Sequence, residues 1–582
     1  MKFSELAKYF EEIEKNKSRL IITNLLAELY KKLNSDEIEK TVYLLQGRVV
    51  PAFEKIDFGM AERMVIKAIV SALNLDRGYF IKEFGKLGDL GKTVERFKKQ
   101  YASFDEKDLN IIEVYESLYK LATAAGEGSQ EQKINILANL IRQLDHLSCR
   151  YLVRIPQGIM QLGFSDMTVL DGFSWMINGD KSLRPEIEKA YHVRPDLGFI
   201  GRTLKEKGIN GLSKIKPKIF TPIIMMRAER LSSGKEIIDQ IGKCAVESKY
   251  DGFRLQIHYR KGEVRLYSRS LEEVSEMYPD VIEGIKKEVN IEELIIEGEA
   301  IGYDEKTNSF LPFQETVQRK RKYDIAEKAK EIPLKLFVFE LLYFNGKNYI
   351  DEPFQKRREE LEKIIKGKNI KENVILISPQ DIVDNGITIE KLFDKAVKSN
   401  LEGILAKKLD GVYKPGARGW NWIKFKKSYS SKVEDTIDCL VMGYDLGKGK
   451  RTSFGIGAFL AGVYDEKKDR FVTVAKIGTG LTDEEWKELN VKCQKSRSAS
   501  SGQAKIKTKP DNYFVDKMME CDVWLDPKIV VEIRSDEITK SPVHTAGLAL
   551  RFPRLERFRD DKDAKETTTL NEIEKLFLRQ KK

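Results

Sequence analysis

With 582 residues the chain is too long for a single core, and its length corresponds to roughly three to five domains. Charged residues make up 33% of it, 102 Lys and Arg against 91 Asp and Glu, and the net +11 argues for a soluble protein that leans towards a polyanionic partner. Five scattered cysteines without a CxxC pair and only four histidines exclude a disulfide framework or a Cys/His zinc module, and the absence of an apolar leader or a membrane-length run sets the expectation of a reducing, cytoplasmic protein, nucleoid-associated in a prokaryote.

Residues 1–215 read as helical. Phe3–Phe10, Leu20–Leu33 and Ala61–Val70 each carry apolar residues at three- and four-residue spacing. Glycine-bearing turns at Gly85–Gly91 and Ala125–Ser129 suit either phosphate contact through free N–H groups or plain helix capping. The texture changes at Lys214-Ile-Lys-Pro-Lys-Ile-Phe-Thr-Pro222, a hinge-like stretch. From 216 to 428 β-branched runs alternate with helical ones, which implies an α+β domain. From 429 to 582 short strand patterns return and fit a small barrel, interrupted by the polar, apolar-poor run Gln494–Pro510.

The chemistry concentrates in the middle region. Glu247-Ser-Lys-Tyr-Asp-Gly-Phe-Arg254 reads as a strand ending in an Asp251-Gly252 turn, with Glu247, Lys249 and Asp251 on one face. Alone this is an ordinary surface ladder of charges. Further polar residues then occur on or beside apolar strands: Arg269 in Tyr267-Ser-Arg269, the carboxylates of Glu297-Gly-Glu299, Phe337 and Phe339, and Glu402 and Lys407 in Glu402-Gly-Ile-Leu-Ala-Lys407. Trp420, Trp422, Lys424 and Lys426 alternate along one more strand, so two indoles and two ammoniums are expected on one face. Carboxylates, cations, a lysine and aromatics set among apolar strands suit a nucleoside triphosphate with a metal ion.

In this order the motifs resemble the covalent lysyl-nucleotidyltransferases, and specifically ATP-dependent DNA ligases of the archaeal and eukaryotic replicative type. Trp422-Ile-Lys-Phe-Lys426 and Arg551-Phe-Pro-Arg-Leu-Glu-Arg-Phe-Arg-Asp-Asp-Lys562 complete the series. Tyr151–Arg154 and Tyr191–Leu197 resemble the ligase DNA-binding domain, and Gly447–Arg451, Gly455–Phe459 and Ile477–Gly480 its barrel. The resemblance implies a multidomain chain: an all-α DNA-binding domain over 1–215, an α+β nucleotidyltransferase domain of ATP-grasp-like antiparallel sheets over 216–428, and an OB-fold β-barrel over 429–582.

It also implies a mechanism of three phosphoryl transfers that seals nicks in duplex DNA during replication, repair and recombination. Lys249 attacks the α-phosphate of ATP, AMP passes to the 5′-phosphate of a nick, and the 3′-hydroxyl displaces it. Free lysine has a pKa of about 10.4, so burial and neighbouring cations are needed to expose the neutral amine. By the same resemblance Lys424, Lys426 and Arg418 contact phosphate or nucleotide, Glu299 and Glu402 hold Mg²⁺ (or Mn²⁺), and Arg254 and Arg269 reach ribose or the nick phosphate. Phe339 stacks on adenine, Glu247 accepts from its amino group, and Lys407 lies near phosphates or ribose. Arg554, Arg559 and Lys562 orient pyrophosphate, with a hinge at Lys427–Ser431 carrying them in. Glu297 and Asp251 receive no role. A monomer acting on nicked DNA is expected, with a sliding clamp as a further partner through the degenerate peptide Gln100–Phe104. RNA ligases and capping guanylyltransferases share the lysine motif without the helical domain, and NAD-dependent ligases carry a four-cysteine module missing here.

Overall fold

The computed structural model describes the chain except residues 101–105, 322, 368, 400, 427–435, 448–450, 452–453, 496–508 and 580–582. All of the clamp-type peptide after Gln100, the hinge at 427–431 and most of the run 494–510 therefore lie outside the described residues, as does the centre of Gly447–Arg451.

Helices run from Phe3–Lys15 through Leu197–Leu212 in the N-terminal region. They follow the apolar spacing: Phe3, Leu6, Ala7, Phe10 and Ile13 form one buried stripe of the first helix and join a core shared with the others. Asparagine capping boxes start two of them, at Asn34 and Asn110. The glycine turns are helix ends. Gly88, at φ +64°, closes Arg77–Leu87 with its N–H on the Phe84 carbonyl at 2.8 Å, and Gly128 is the N-cap of Ser129–Gln143. Tyr151 and Arg154 of the Tyr151–Arg154 motif serve the helical core, since Glu14 accepts from both at 2.8 Å.

Residues 227–426 build two sheets. The first has the strand order Arg227–Arg230, Arg418–Lys426, Gly403–Lys408, Cys244–Lys249, Gln380–Val383. The second runs Glu263–Tyr267, Phe253–Arg260, Glu293–Asp304, Leu334–Phe344, Lys347–Asn348. Pairing is antiparallel apart from Arg227–Arg230 on Arg418–Lys426 and Ile375–Ile377 on Leu334–Phe344, a small departure from the expected all-antiparallel sheets. The chain crosses between the sheets at Tyr250-Asp251-Gly252. A Cβ at Gly252 would stand 2.2 Å from the Ala300 carbonyl oxygen, so only glycine lets the crossover lie flat on the second sheet.

The stretch at 214–222, read as a hinge, is pinned instead. The Phe220 N–H donates to His258 Nδ1 at 3.0 Å, and the Tyr267 hydroxyl donates to the Phe220 carbonyl at 2.9 Å. Burial pushes His258 down to about 3, which keeps the ring neutral and able to accept. Gln256 grips Ile223 twice, accepting its N–H at 2.7 Å and donating to its carbonyl at 3.0 Å. Gln256 also donates to the fully buried Glu297 at 3.0 Å, as does the Tyr413 hydroxyl at 3.0 Å. Phe220 and Ile223 are thus tied to partners far away in sequence, which composition alone does not reveal.

In the C-terminal region the described strands follow the order Tyr513–Phe514, Arg470–Ile477, Ile456–Asp465, Ile437–Leu446, Val530–Arg534, Arg554–Phe558. A separate hairpin pairs Glu537–Lys540 with Leu548–Arg551, and the helices Asp483–Lys495 and Leu570–Arg579 accompany the sheet. Replacing Gln256 with Ala strands both polar groups of Ile223 and removes a donor from Glu297. It is expected to cost about 1–3 kcal/mol, read as a thermal midpoint lowered by several degrees; an unchanged midpoint contradicts the pinning.

Candidate active site

Lys249 is the last residue of its strand, at the seam where the chain leaves one sheet for the other. Strand pairing holds its backbone: Gly403 is its register partner, and the Glu402 N–H donates to the Lys249 carbonyl at 3.0 Å. That pairing aims the Glu402 side chain back at the amine, and one carboxylate oxygen lies 2.8 Å from Lys249 Nζ. The other oxygen is in contact with the Lys426 ammonium. One carboxylate thus anchors two lysines.

The pocket above this seam is lined by Glu247, Lys249, Arg254, Arg269, Glu299, Phe339, Arg418, Trp422, Lys424 and Lys426, together with Met226, Arg227, Ala228, Ser248, Tyr250 and Leu405. Nine of the fourteen site residues expected from sequence line it; Glu402, Lys407, Arg554, Arg559 and Lys562 do not. Cations outnumber carboxylates, and the crowding is felt. Burial, then Lys249, bring Lys426 down to about 7, with Arg551 and Arg230 adding to the effect and Asp251 opposing it. Lys424 is lowered by burial and then by Lys249, Arg418, Arg269 and Arg230. Burial raises the Glu299 carboxyl, opposed by Lys249, Arg254 and the Gly252 N–H. A cluster of lysines and arginines of this kind suits anionic oxygens.

Beneath the pocket lies a layer of buried charge. Lys407 is fully buried, donates to Glu247 and the Phe339 carbonyl at 3.0 and 2.8 Å, and sits 4.8 to 5.0 Å from the ring centres of Phe354, Trp422 and Phe339. The expectation that it reaches phosphates or ribose is therefore corrected: its ammonium is held below the aromatic floor. Burial raises the Glu247 carboxyl and lowers the Lys407 ammonium, each opposed by its partner. Arg254 flanks the same rings, 5.5 Å from Phe339 and 5.2 Å from Trp422, while bonded to Glu297 at 2.7 Å and to the Met226 carbonyl at 2.8 Å. Glu297, which had no role from sequence, is the acceptor that fixes Arg254.

One further expectation changes. Trp420 does not share the pocket face with Trp422; it is exposed and absent from the lining. The reason is a register break: Ala228 pairs with Gly419 but Glu229 with Ile423, so residues 420–422 bulge from that edge. Arg554, Arg559 and Lys562 also stay away from the pocket. Arg554 is paired with Asp536, while Arg559 and Lys562 share Asp438 at 3.1 and 2.6 Å, all within the C-terminal region. The residue that region does bring to the turn after Lys249 is Arg551, 3.3 Å from Asp251 and 5.7 Å above the Phe313 ring centre. Phe552, at φ +52°, turns the chain between Arg551 and Arg554 and sends them in different directions. Sequence reasoning also missed Arg227 and Tyr413. Arg227 is signalled only by its parallel pairing with Arg418, which no local pattern reveals.

Three family descriptions match in order: DNA ligase N terminus over residues 2–174, ATP dependent DNA ligase domain over 225–426, and ATP dependent DNA ligase C terminal region over 452–562. A probable DNA ligase of Dictyoglomus turgidum is 44% identical, covering 100% of this chain and 98% of the relative. A DNA ligase of Sulfolobus acidocaldarius is 38% identical, covering 99% of this chain and 98% of that one. Among solved structures, one described as Pmar-Lig_PreS3 superposes with a TM-score of 0.53 at 16% identity over 95% of this chain and 99% of that chain, a likeness of fold. Full-length identity of this degree, three matching segments in family order and a lysine pocket in the middle segment place the chain in the ATP-dependent DNA ligase family.

Proposed function

We propose that Lys249 is the nucleophile through which this chain, as an ATP-dependent DNA ligase, takes AMP from ATP and delivers it to the 5′-phosphate of a nick in duplex DNA. The observation that carries the reading is the amine itself: a lysine at a sheet seam, 2.8 Å from Glu402, facing a wall of lysines and arginines.

In the first transfer the Lys249 nitrogen forms a bond to the α-phosphorus, the bond to the β-phosphate oxygen breaks, and pyrophosphate leaves. The amine gives up its proton to solvent in this step, and Glu402, ion-paired with it at 2.8 Å, orients it toward the phosphorus. Lys424, Lys426, Arg418, Arg269 and Arg227 neutralise charge on the phosphate oxygens, and Phe339 with Trp422 offers the apolar surface against which a purine stacks. Glu247 lies at that end as an acceptor for the base amino group. In the second transfer the 5′-phosphate oxygen takes the AMP and Lys249 is restored. In the third the 3′-hydroxyl attacks that phosphate and AMP departs.

The donor set fits Mg²⁺. Among the described residues no three His, Cys, Asp or Glu side chains cluster, but Glu299 and Glu402 both flank Lys249, and this ion is commonly held by one or two carboxylates plus substrate phosphates. When bound it supplies further neutralisation of the phosphate oxygens. The C-terminal sheet region, read as an OB fold over 429–582, has two orientations in this account. Its Arg551–Asp251 contact holds it at the Lys249–Gly252 turn, and a second orientation brings Arg554, Arg559 and Lys562 over the pyrophosphate. Residues 1–215 grip DNA.

Lys249→Ala is expected to take no label from α-labelled ATP yet still seal a nick whose 5′ end is already adenylylated; covalent label on the variant contradicts the assignment. Lys426→Ala is expected to slow self-adenylylation by about a hundredfold, measured by single-turnover label transfer. Binding to nicked duplex should weaken linearly in a log–log plot against salt; a flat response counts against phosphate contacts.

A further inference from the structure

Two pocket arginines stand on segments that the helical region grips. Arg418 begins the strand that follows Tyr413–Ala417, and that turn is packed against His192, which lies at the end of the helix Arg184–Val193. Gly416, at φ +67°, is pressed on the imidazole: a Cβ there would stand 2.7 Å from three ring atoms. The Ile224 N–H donates to the His192 carbonyl at 2.9 Å, the Gly416 N–H donates to the Ile224 carbonyl at 2.9 Å, and the Arg227 N–H donates to the Ala417 carbonyl at 3.1 Å. A continuous ladder therefore runs from the helical region through the connector to the pocket wall at Arg227 and Arg418.

The second grip is at Arg269. This residue sits in a tight loop closed by the Leu271 N–H on the Ser268 carbonyl and the Ser268 N–H on the Glu272 carbonyl, both at 2.9 Å. Immediately after the loop come Glu273 and Glu276, and Lys55 of the helical region lies 3.4 and 2.9 Å from their carboxylates. Lys55 projects from a segment tied into the helical core, since Tyr115 donates its hydroxyl to the Val49 carbonyl and Lys133 donates to the Phe58 carbonyl at 2.8 Å.

We infer that the helical region, besides gripping DNA, forms part of the nucleotide site: through His192 and Lys55, acting as positioning residues, it holds Arg418 and Arg269 in place for ATP. The inference rests on the reading of the pocket as the ATP site. Docking of the helical region then favours nucleotide binding, and by linkage nucleotide favours the docked arrangement. The exposed Lys55 pairs are the weaker grip and the His192–Gly416 packing the stronger.

The test titrates α-labelled ATP against the full chain and separates KM from the maximal rate of label transfer, with a thermal melt on every variant. His192→Ala removes the ring, and Gly416→Ala displaces it. Each is expected to raise KM about fivefold or more while leaving the maximal rate within about twofold. Lys55→Glu should give a smaller rise, partly restored by Glu276→Lys in the same chain. Unchanged KM in folded His192→Ala and Gly416→Ala overturns the inference, and so does a loss of maximal rate at constant KM. Wild-type protein that takes no label at Lys249 overturns the function itself, so the two failures are separate.

Discussion

The structure depends on a close approach of backbone to backbone at Gly252. The nucleophile's strand belongs to one sheet and the next strand, Phe253–Arg260, to the other, and three residues make the passage. Any side chain at Gly252 would meet the Ala300 carbonyl at 2.2 Å. Because the turn lies flat, Lys249 ends its strand at the mouth of the cleft rather than within a sheet face. Its amine then faces the cleft between the sheets, with Glu299 supplied by the second sheet, Lys424 and Lys426 by the first, and Glu402 just ahead of Gly403–Lys408. A cleft built this way gathers opposite charges from two independently hydrogen-bonded frameworks.

The charge that the pocket shows to its substrate rests on charge it conceals. Glu297 accepts from Arg254, Gln256 and Tyr413, Glu247 accepts from Lys407, and Glu340 is bonded to Arg357 at 2.8 Å with both side chains buried. Buried pairs add little net stability against apolar packing, but losing one member costs about 3–5 kcal/mol because it leaves an uncompensated charge. Such pairs define one arrangement. The aromatic floor of Phe339 and Trp422 is accordingly held between the Arg254 guanidinium and the Lys407 ammonium. That floor is a rigid apolar surface beside the cations of the pocket.

Much of this was legible in sequence where the determining contacts are local. The helices at Phe3–Lys15, Arg19–Lys32 and Glu62–Leu73 follow their apolar stripes because a helix decides its buried face within seven residues. Motif strands ending in charge also fell where expected, and Lys249, Glu299, Lys424 and Lys426 converge as their order implied. What stayed hidden was set by partners distant in sequence. Lys407 obeys strand alternation, yet its depth is fixed by Phe354 and Trp422. Trp420 left its expected face because a parallel neighbour skips three residues. Arg554, Arg559 and Lys562 look like free cations in a basic motif, while Asp536 and Asp438 already engage them. Asp251 appeared to be a turn residue, and its partner Arg551 lies 300 positions away.

The central claim is chemical: one particular lysine among several in the pocket carries the nucleotide. Lys249, Lys424 and Lys426 all line it, and burial with its cationic neighbours brings Lys426 down to about 7. Peptide mass mapping of the full chain after incubation with ATP and Mg²⁺ in the absence of DNA distinguishes them directly. The account predicts AMP on the peptide containing Lys249 and on no other, released when nicked duplex is added. An adduct on Lys424 or Lys426, or one on Lys249 that persists with nicked DNA, would contradict it.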